Sequence, residues 1–215
     1  MKRLIKKAYD LAEEQEKFIQ ECEESGKFDD KQMNEIIWGF EHGLTMEQVK
    51  FYADPKFNGR QMSHIRWGFE NGLTMEQVKI YAVPKFYAKE MKEMREGFEN
   101  GLTMDQVKLY AAPKFTDKRM KEIRKGFENG LTIEQVKLYT KFDNKRMRQI
   151  RDGFEHGLTM EQVKLYADPK LDRVQMDAIK EYLKIGFPID KIKEKYNLAN
   201  RRNRLNRIAK RSIKK

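Results

Sequence analysis

Histidine, serine, aspartate and glutamate are common in catalytic and metal-binding sites, and this 215-residue chain contains all four. The histidines are His42, His64 and His156, and no grouping with Cys, Asp or Glu has metal-ligand spacing. Serine occurs only at positions 25, 63 and 212, so no Ser–His–Asp set can be proposed. No glycine-rich loop precedes a basic helix start, so no phosphate cradle is visible. We therefore expect no enzyme, no catalytic residue, no metal site and no cofactor.

His42 and His156 share one position of an internal repeat, just before a glycine, where other units carry asparagine. This is the place of a helix C-terminal side chain, so we interpret both histidines as structural. Glutamates recur in the same frame, most of them four residues after an arginine, which predicts a ladder of ion pairs. The glutamates are Glu41, Glu70, Glu99, Glu128 and Glu155, and the arginines are Arg66, Arg95, Arg124 and Arg151.

Two tryptophans are the strongest candidates for binding chemistry. Trp38 and Trp67 share a repeat position that holds Glu96, Lys125 and Asp152 in later units. A position that accepts charge is normally exposed, so two tryptophans there indicate a small exposed apolar patch of the kind that anchors protein interfaces. The alternative is that both rings pack under the N-terminal helix.

Basic side chains line the variable face of the same helix in the next three units. They indicate a basic stripe beyond the aromatic patch, and the alternative is a solvated face balanced by the recurrent glutamates. The stripe consists of Lys89, Lys92, Lys118, Arg119, Lys121, Lys125, Lys145, Arg146 and Arg148. The predicted partner-binding residues are Trp38, Trp67, Lys92, Lys121, Lys125 and Arg148.

The C-terminal segment holds most of the net charge of +11, with eleven Lys or Arg and two Asp or Glu in residues 189–215. A basic amphipathic helix of this kind neutralises phosphates or meets an acidic protein surface. Its apolar residues lack Trp and Phe, which disfavours a membrane, and they are also suited to capping the end of the fold. The predicted nucleic-acid-binding residues are Arg201, Arg202, Arg204, Arg207, Lys210 and Arg211.

A repeat with a period of 29 residues must position these side chains. The frame that begins at Phe28 restarts at Phe57, Phe86, Phe115 and Phe142, and a degenerate copy begins at Leu171. Such periods are typical of solenoids, because one unit cannot bury its apolar face alone. The sequence predicts an all-α, tandem two-helix-repeat α-solenoid with helical caps. Its segments are a capping helix (1–27), five repeats (28–169), a degenerate sixth repeat (170–196) and a basic C-terminal helix (197–215).

Local signals define two helices in each unit. Asp29 with Gln32 begins the first helix and Gly43 ends it, whereas Thr45 with Gln48 begins the second and Pro55 ends the unit. A glycine recurs inside the first helix, at positions 39, 68, 97, 126 and 153, where it costs about 1 kcal/mol relative to alanine. We interpret each of these glycines as the site of a close helix crossing. The unit that ends at Thr140 is two residues shorter and lacks its proline, which predicts a local change in superhelix curvature.

The repeat motif is carried by Phe57, Gln61-Met62, Ile65-Arg66, Gly68-Phe69-Glu70 and Gly72-Leu73. Across residues 28–169 it resembles short helical repeats in proteins of bacterial mobile elements and phages, mainly from Firmicutes. The resemblance implies a mobile-element context, in which many small proteins inhibit host defence nucleases in an anti-CRISPR-like manner. No functional residue carries over, because the shared positions are the framework.

These observations favour a non-catalytic binding protein. We expect a mobile-element-encoded inhibitor or adaptor that binds a host protein or nucleoprotein complex, such as a defence nuclease. The alternative is direct nucleic-acid binding through the basic C-terminal helix. No apolar run is long enough to span a membrane, and Cys22 is the sole cysteine. We therefore expect a soluble protein in the cytoplasm of a bacterial host, with no membrane partner.

Overall fold

The computed structural model describes residues 2–196 and residue 198, with side chains from residue 12 onward. These described residues form thirteen α-helices and no β-strand, which confirms the all-α class. The helices are α1 (Lys2–Glu24), α2 (Asp30–Glu41), α3 (Met46–Tyr52), α4 (Gly59–Glu70), α5 (Met75–Tyr81), α6 (Ala88–Glu99), α7 (Met104–Tyr110), α8 (Asp117–Glu128), α9 (Ile133–Tyr139), α10 (Asn144–Glu155), α11 (Met160–Tyr166), α12 (Arg173–Lys184) and α13 (Ile189–Lys195).

Each repeat folds as a 12-residue helix followed by a 7-residue helix, as the capping signals predict. At the start of α2, the Asp29 side chain accepts a hydrogen bond from the Gln32 backbone N–H at 2.8 Å, and the Gln32 side chain accepts one from the Asp29 N–H. Thr45 and Gln48 form the same reciprocal pair at the start of α3. Gly43 ends α2 with a φ of 81°, a conformation that residues with a Cβ rarely adopt.

The repeated glycine inside the first helix marks a close helix crossing, as predicted. Tyr52 of α3 is fully buried, and its hydroxyl donates a hydrogen bond to the Glu35 carbonyl of α2 at 2.9 Å. A Cβ added to Gly39 would lie 1.9 Å from that hydroxyl oxygen. Glycine therefore allows the tyrosine of the short helix to reach the backbone of the long one.

The described residues form two compact units, which divide between Met120 and Lys121. In the first unit, α1 contacts α2, α2 contacts α4, and α4 contacts α6. In the second unit, α10 contacts both α11 and α12, and α12 contacts α13. The long helices of successive repeats thus lie side by side within each unit, so side chains on one long helix can reach the next.

The shortened unit differs from the others at the end of its second helix. Ala53 leaves α3 with φ −71° and ψ 60°, whereas Thr140 keeps helical angles of −59° and −17° after α9. The chain then enters the next unit through a hydrogen bond from the Phe142 N–H to the Tyr139 carbonyl. The local path has changed, and the predicted change in superhelix curvature stays a prediction.

Candidate partner-binding surface

Both tryptophans lie on the surface of the first compact unit. Trp38 in α2 is 42% exposed and Trp67 in α4 is 39% exposed. The interpretation that the rings are covered by the N-terminal helix is therefore wrong, and the exposed apolar patch is present. Exposed tryptophans on neighbouring helices are unusual in a surface rich in charge, and they are enriched among binding hot spots.

A buried arginine lies between the two indole rings. The guanidinium carbon of Arg66 is 5.5 Å from the ring centroid of Trp38 and 5.8 Å from that of Trp67. Arg66 itself is only 4% exposed. A desolvated cation over an aromatic face stabilises the pair by about 2 kcal/mol, so each exposed ring rests on a fixed support.

Carboxylates from two helices hold Arg66 in place. Its Nε donates to Glu35 of α2 at 2.8 Å, and its Nη1 donates to Glu70 of its own helix at 2.5 Å. Burial raises the pKa of Glu35, and the ion pair with Arg66 opposes that shift. Glu70 also bonds His42 Nδ1 at 2.6 Å, so this network joins the two repeats that carry the tryptophans.

The predicted ladder of glutamates and arginines is confirmed in four repeats. Arg66–Glu70, Arg95–Glu99, Arg124–Glu128 and Arg151–Glu155 all form ion pairs over one helical turn. The histidines before the stop glycine are the C-cap residues of α2 and α10, as interpreted from the sequence. These groups therefore belong to the framework that positions the surface.

The network of ion pairs that supports the tryptophans is incomplete beneath Trp67. Where α2 carries Glu35, α4 carries His64, whose ring meets Trp67 edge-on with centroids 5.2 Å apart. The next arginine, Arg95, lies 5.6 Å from the Trp67 centroid and is 8% exposed. Its Nε and His64 Nδ1 are both buried without a hydrogen-bond partner in the described part of the chain.

His64 is held in its neutral form by this environment. Burial is the main cause that lowers its pKa from 6.5 to about 4, and the positive charges of Arg95 and Lys92 lower it further. Glu96 acts in the opposite direction but does not compensate. A neutral imidazole therefore supports Trp67 across the ordinary pH range.

A pocket opens beside Trp38, between α2 and α4. It has a volume of about 200 Å³ and a mainly apolar lining. Gly59 brings the start of α4 close to α2, since a Cβ there would lie 2.8 Å from the Cβ of Lys31. The residues that form its walls and rim include Lys31, Glu35, Trp38, Gly59, Arg60 and Ser63.

The predicted basic residues are divided between the two compact units. Lys92 lies with the tryptophans in the first unit and pairs with Glu96 at 3.5 Å. Lys121, Lys125 and Arg148 lie in the second, where Arg148 reaches Glu122 at 3.5 Å. The basic stripe as a whole therefore stays a prediction. The predicted nucleic-acid-binding residues Arg201, Arg202, Arg204, Arg207, Lys210 and Arg211 lie outside the described residues.

Sequence reasoning found the tryptophans and missed what surrounds them. Arg66 and Arg95 were assigned to the ladder, although their recurrence one residue before the tryptophan position indicates a nearby cation. Gly59 and Ser63 are smaller than the residues at the same positions of the other repeats, and this difference is the signal for the pocket in the sequence.

Within residues 2–196 and 198, no group of three or more His, Cys, Asp or Glu side chains is arranged to hold a metal ion. None of the helices described combines the length and the apolar character needed to cross a bilayer. No family model, no curated protein and no solved structure matches the chain.

Proposed function

We propose that this chain is a non-catalytic binding protein that engages a protein partner through the surface around Trp38 and Trp67. The observation that carries the proposal is that both indole rings are about two-fifths exposed while they rest on the buried guanidinium of Arg66. The helix pairs would continue as an α-solenoid, with α1 and the C-terminal helix as caps. Solenoids of this kind bind macromolecules along extended surfaces.

Rigid support is what makes the two rings suitable as anchors. A side chain that is ordered before binding loses little conformational entropy on association, and each flexible one would cost about 0.5–1.5 kcal/mol. Arg66 is fixed by Glu35 and Glu70, so the guanidinium does not need to reorganise when a partner arrives. The tryptophans are therefore presented in one geometry.

The resemblance of the repeats to those of phage and mobile-element proteins favours an inhibitor or adaptor. Its target would be a host protein or nucleoprotein complex, such as a defence nuclease, in the cytoplasm of the bacterial host. Lys92 would extend the contact within the first compact unit, and Lys121, Lys125 and Arg148 would supply basic contacts from the second. These residues would meet acidic protein surface or nucleic acid held by the target.

Affinity capture from bacterial lysate, with and without nuclease digestion, tests the proposal. We expect one stoichiometric protein that survives digestion and is lost with the Trp38→Ala, Trp67→Ala double variant. Phe187→Ala is the matched control, because Phe187 is 38% exposed and lies in the other compact unit. Retention of the partner by the double variant, or its loss with the control, would contradict the assignment of the surface.

Direct nucleic-acid binding is the second candidate, favoured by the charge of residues 189–215. Arg201, Arg202, Arg204, Arg207, Lys210 and Arg211 would neutralise phosphates. About six such contacts would weaken binding roughly a thousandfold between about 50 and 200 mM salt. Deletion of residues 197–215 should then abolish binding to nucleic acid, and salt-insensitive binding would count against this candidate.

A further inference from the structure

The pocket beside Trp38 has the size and lining of a receptor for one apolar side chain. Its volume is about 200 Å³, and an apolar cavity of roughly 150 Å³ already admits a benzene ring. Trp38 and the start of α4 at Gly59 form its sides. The volume is therefore comparable to that of a single leucine or phenylalanine side chain.

The charges around this pocket indicate which residues would flank that side chain in the partner. Lys31 and Arg60 are exposed and have no ion-pair partner among the described residues. The carboxylate that lines the pocket, Glu35, is already paired with Arg66 at 2.8 Å. The rim is therefore positive, and Lys89 adds a further exposed positive charge on α6.

The ring of Trp67 is poorly placed as a platform for nucleic-acid bases. Trp67 is contacted by the guanidinium groups of Arg66 and Arg95 and by the edge of His64. Base stacking requires an open aromatic face. The exposed part of Trp67 and the apolar pocket beside Trp38 are better suited to side chains of a protein.

From this geometry we infer that the pocket between α2 and α4 receives a leucine or phenylalanine of an acidic protein segment, whose carboxylates meet Lys31 and Arg60. The inference rests on the proposed function and adds the chemistry of the partner. Apolar anchoring in a pocket with a complementary charged rim is how short helical or extended segments are recognised in grooves.

Selection of a random dodecapeptide library displayed on phage against the full-length chain tests the inference. We expect enriched peptides to contain Leu or Phe flanked by Asp or Glu. Ser63→Met, which fills the pocket, should weaken their binding by about tenfold or more, as should Trp38→Ala. Reversal of the rim with Lys31→Glu and Arg60→Glu should weaken them similarly, whereas Ser63→Ala, which leaves the pocket open, should not.

The remaining outcomes separate this inference from the proposed function. Enriched peptides without acidic residues, or peptides indifferent to Ser63→Met in a variant that retains its helical circular dichroism, would overturn the pocket assignment. Displacement of the peptides by single-stranded oligothymidylate would overturn it in favour of nucleic acid. If lysate capture still depends on Trp38 and Trp67 while Ser63→Met has no effect, the proposed function stands and the inference about the pocket fails.

Discussion

His64 replaces the glutamate that pairs with the supporting arginine in the repeat before it. It stands where α2 has Glu35, and burial together with Arg95 and Lys92 lowers its pKa to about 4. As the pH falls below about 6.5, His64 becomes protonated in the unfolded chain, whereas in the folded protein it is protonated only near pH 4. The free energy of unfolding therefore decreases through this window.

We predict that acidification across this window costs the wild type about 1–2 kcal/mol more than it costs His64→Gln. The figure allows for partial exposure of the imidazole, which reduces the effect of burial. Urea denaturation at about pH 7 and about pH 4.5 measures the difference. Equal losses in the two proteins would show that His64 does not titrate with a lowered pKa.

Substitution of Gly68 tests the close crossing between the two helices of a repeat. A Cβ there would lie 1.9 Å from the hydroxyl oxygen of Tyr81. Helix propensity alone favours alanine by about 1 kcal/mol, but overpacking costs about 1–3 kcal/mol, so we predict that Gly68→Ala destabilises the protein.

A double-mutant cycle distinguishes this clash from a general effect on the helix. Tyr81→Phe removes the oxygen and leaves the ring carbon Cζ 3.2 Å from the added Cβ. The double variant should therefore be more stable than the sum of the single changes predicts, as measured by urea denaturation. Additive losses would place the cost of Gly68→Ala elsewhere.

At the level of helices, an ion pair connects α2 to α4, and another connects α8 to α10. Glu35 of α2 meets Arg66 of α4, and Glu122 of α8 meets Arg151 of α10 at 3.1 Å. Between α4 and α6 the glutamate is missing, and Arg95 keeps a buried Nε without a partner. A buried donor without a partner costs about 1–3 kcal/mol.

We predict that His64→Glu stabilises the protein by about 1–3 kcal/mol at neutral pH, because the new carboxylate would accept from the buried Nε of Arg95, whose Nη1 is already paired with Glu99. New buried ion pairs often contribute nothing, but here the arginine is already desolvated and the gain comes from satisfying it. Thermal unfolding followed by circular dichroism measures the change. Ser63→Glu, one residue away and more open to solvent, is the control that should give no comparable gain.

Helix boundaries could be predicted from the sequence because their signals are local. Asp29 with Gln32 and Thr45 with Gln48 act within one turn, and Gly43 ends α2 by its own conformation. The pocket depends instead on how closely α4 approaches α2, which is set by the contact of Gly59 with Lys31 across two helices. A single sequence carries no direct signal for that distance.

The same distinction holds for the candidate site. Trp38 and Trp67 stood out because charged residues replace them in other repeats, a comparison available within the chain. Their support by Arg66 depends on the side-by-side packing of α2 and α4. The two tryptophans could be predicted from the sequence as exposed residues, and their contact with a buried arginine could not.

At the scale of the whole molecule, the exposed aromatic residues and the most basic segment lie in different parts of the chain. The aromatic patch lies in the first compact unit, and the largest concentration of positive charge lies in residues 189–215. Binding through the first combines burial of apolar surface with a few charged contacts at Lys31 and Arg60, so we expect a shallow dependence on salt. Binding through the second depends on phosphate neutralisation and responds steeply. Salt dependence therefore reports which end of the chain carries the interaction.

The most direct test of the central claim is the dissociation constant of the captured protein partner, measured for three forms of the chain. The forms are the wild type, the Trp38→Ala, Trp67→Ala double variant, and a chain that lacks residues 197–215. We predict that the double variant binds roughly a thousandfold more weakly, since each ring contributes about 2 kcal/mol, and that the shortened chain binds nearly as well as the wild type. Unchanged affinity in the double variant, with loss of binding in the shortened chain, would contradict the account.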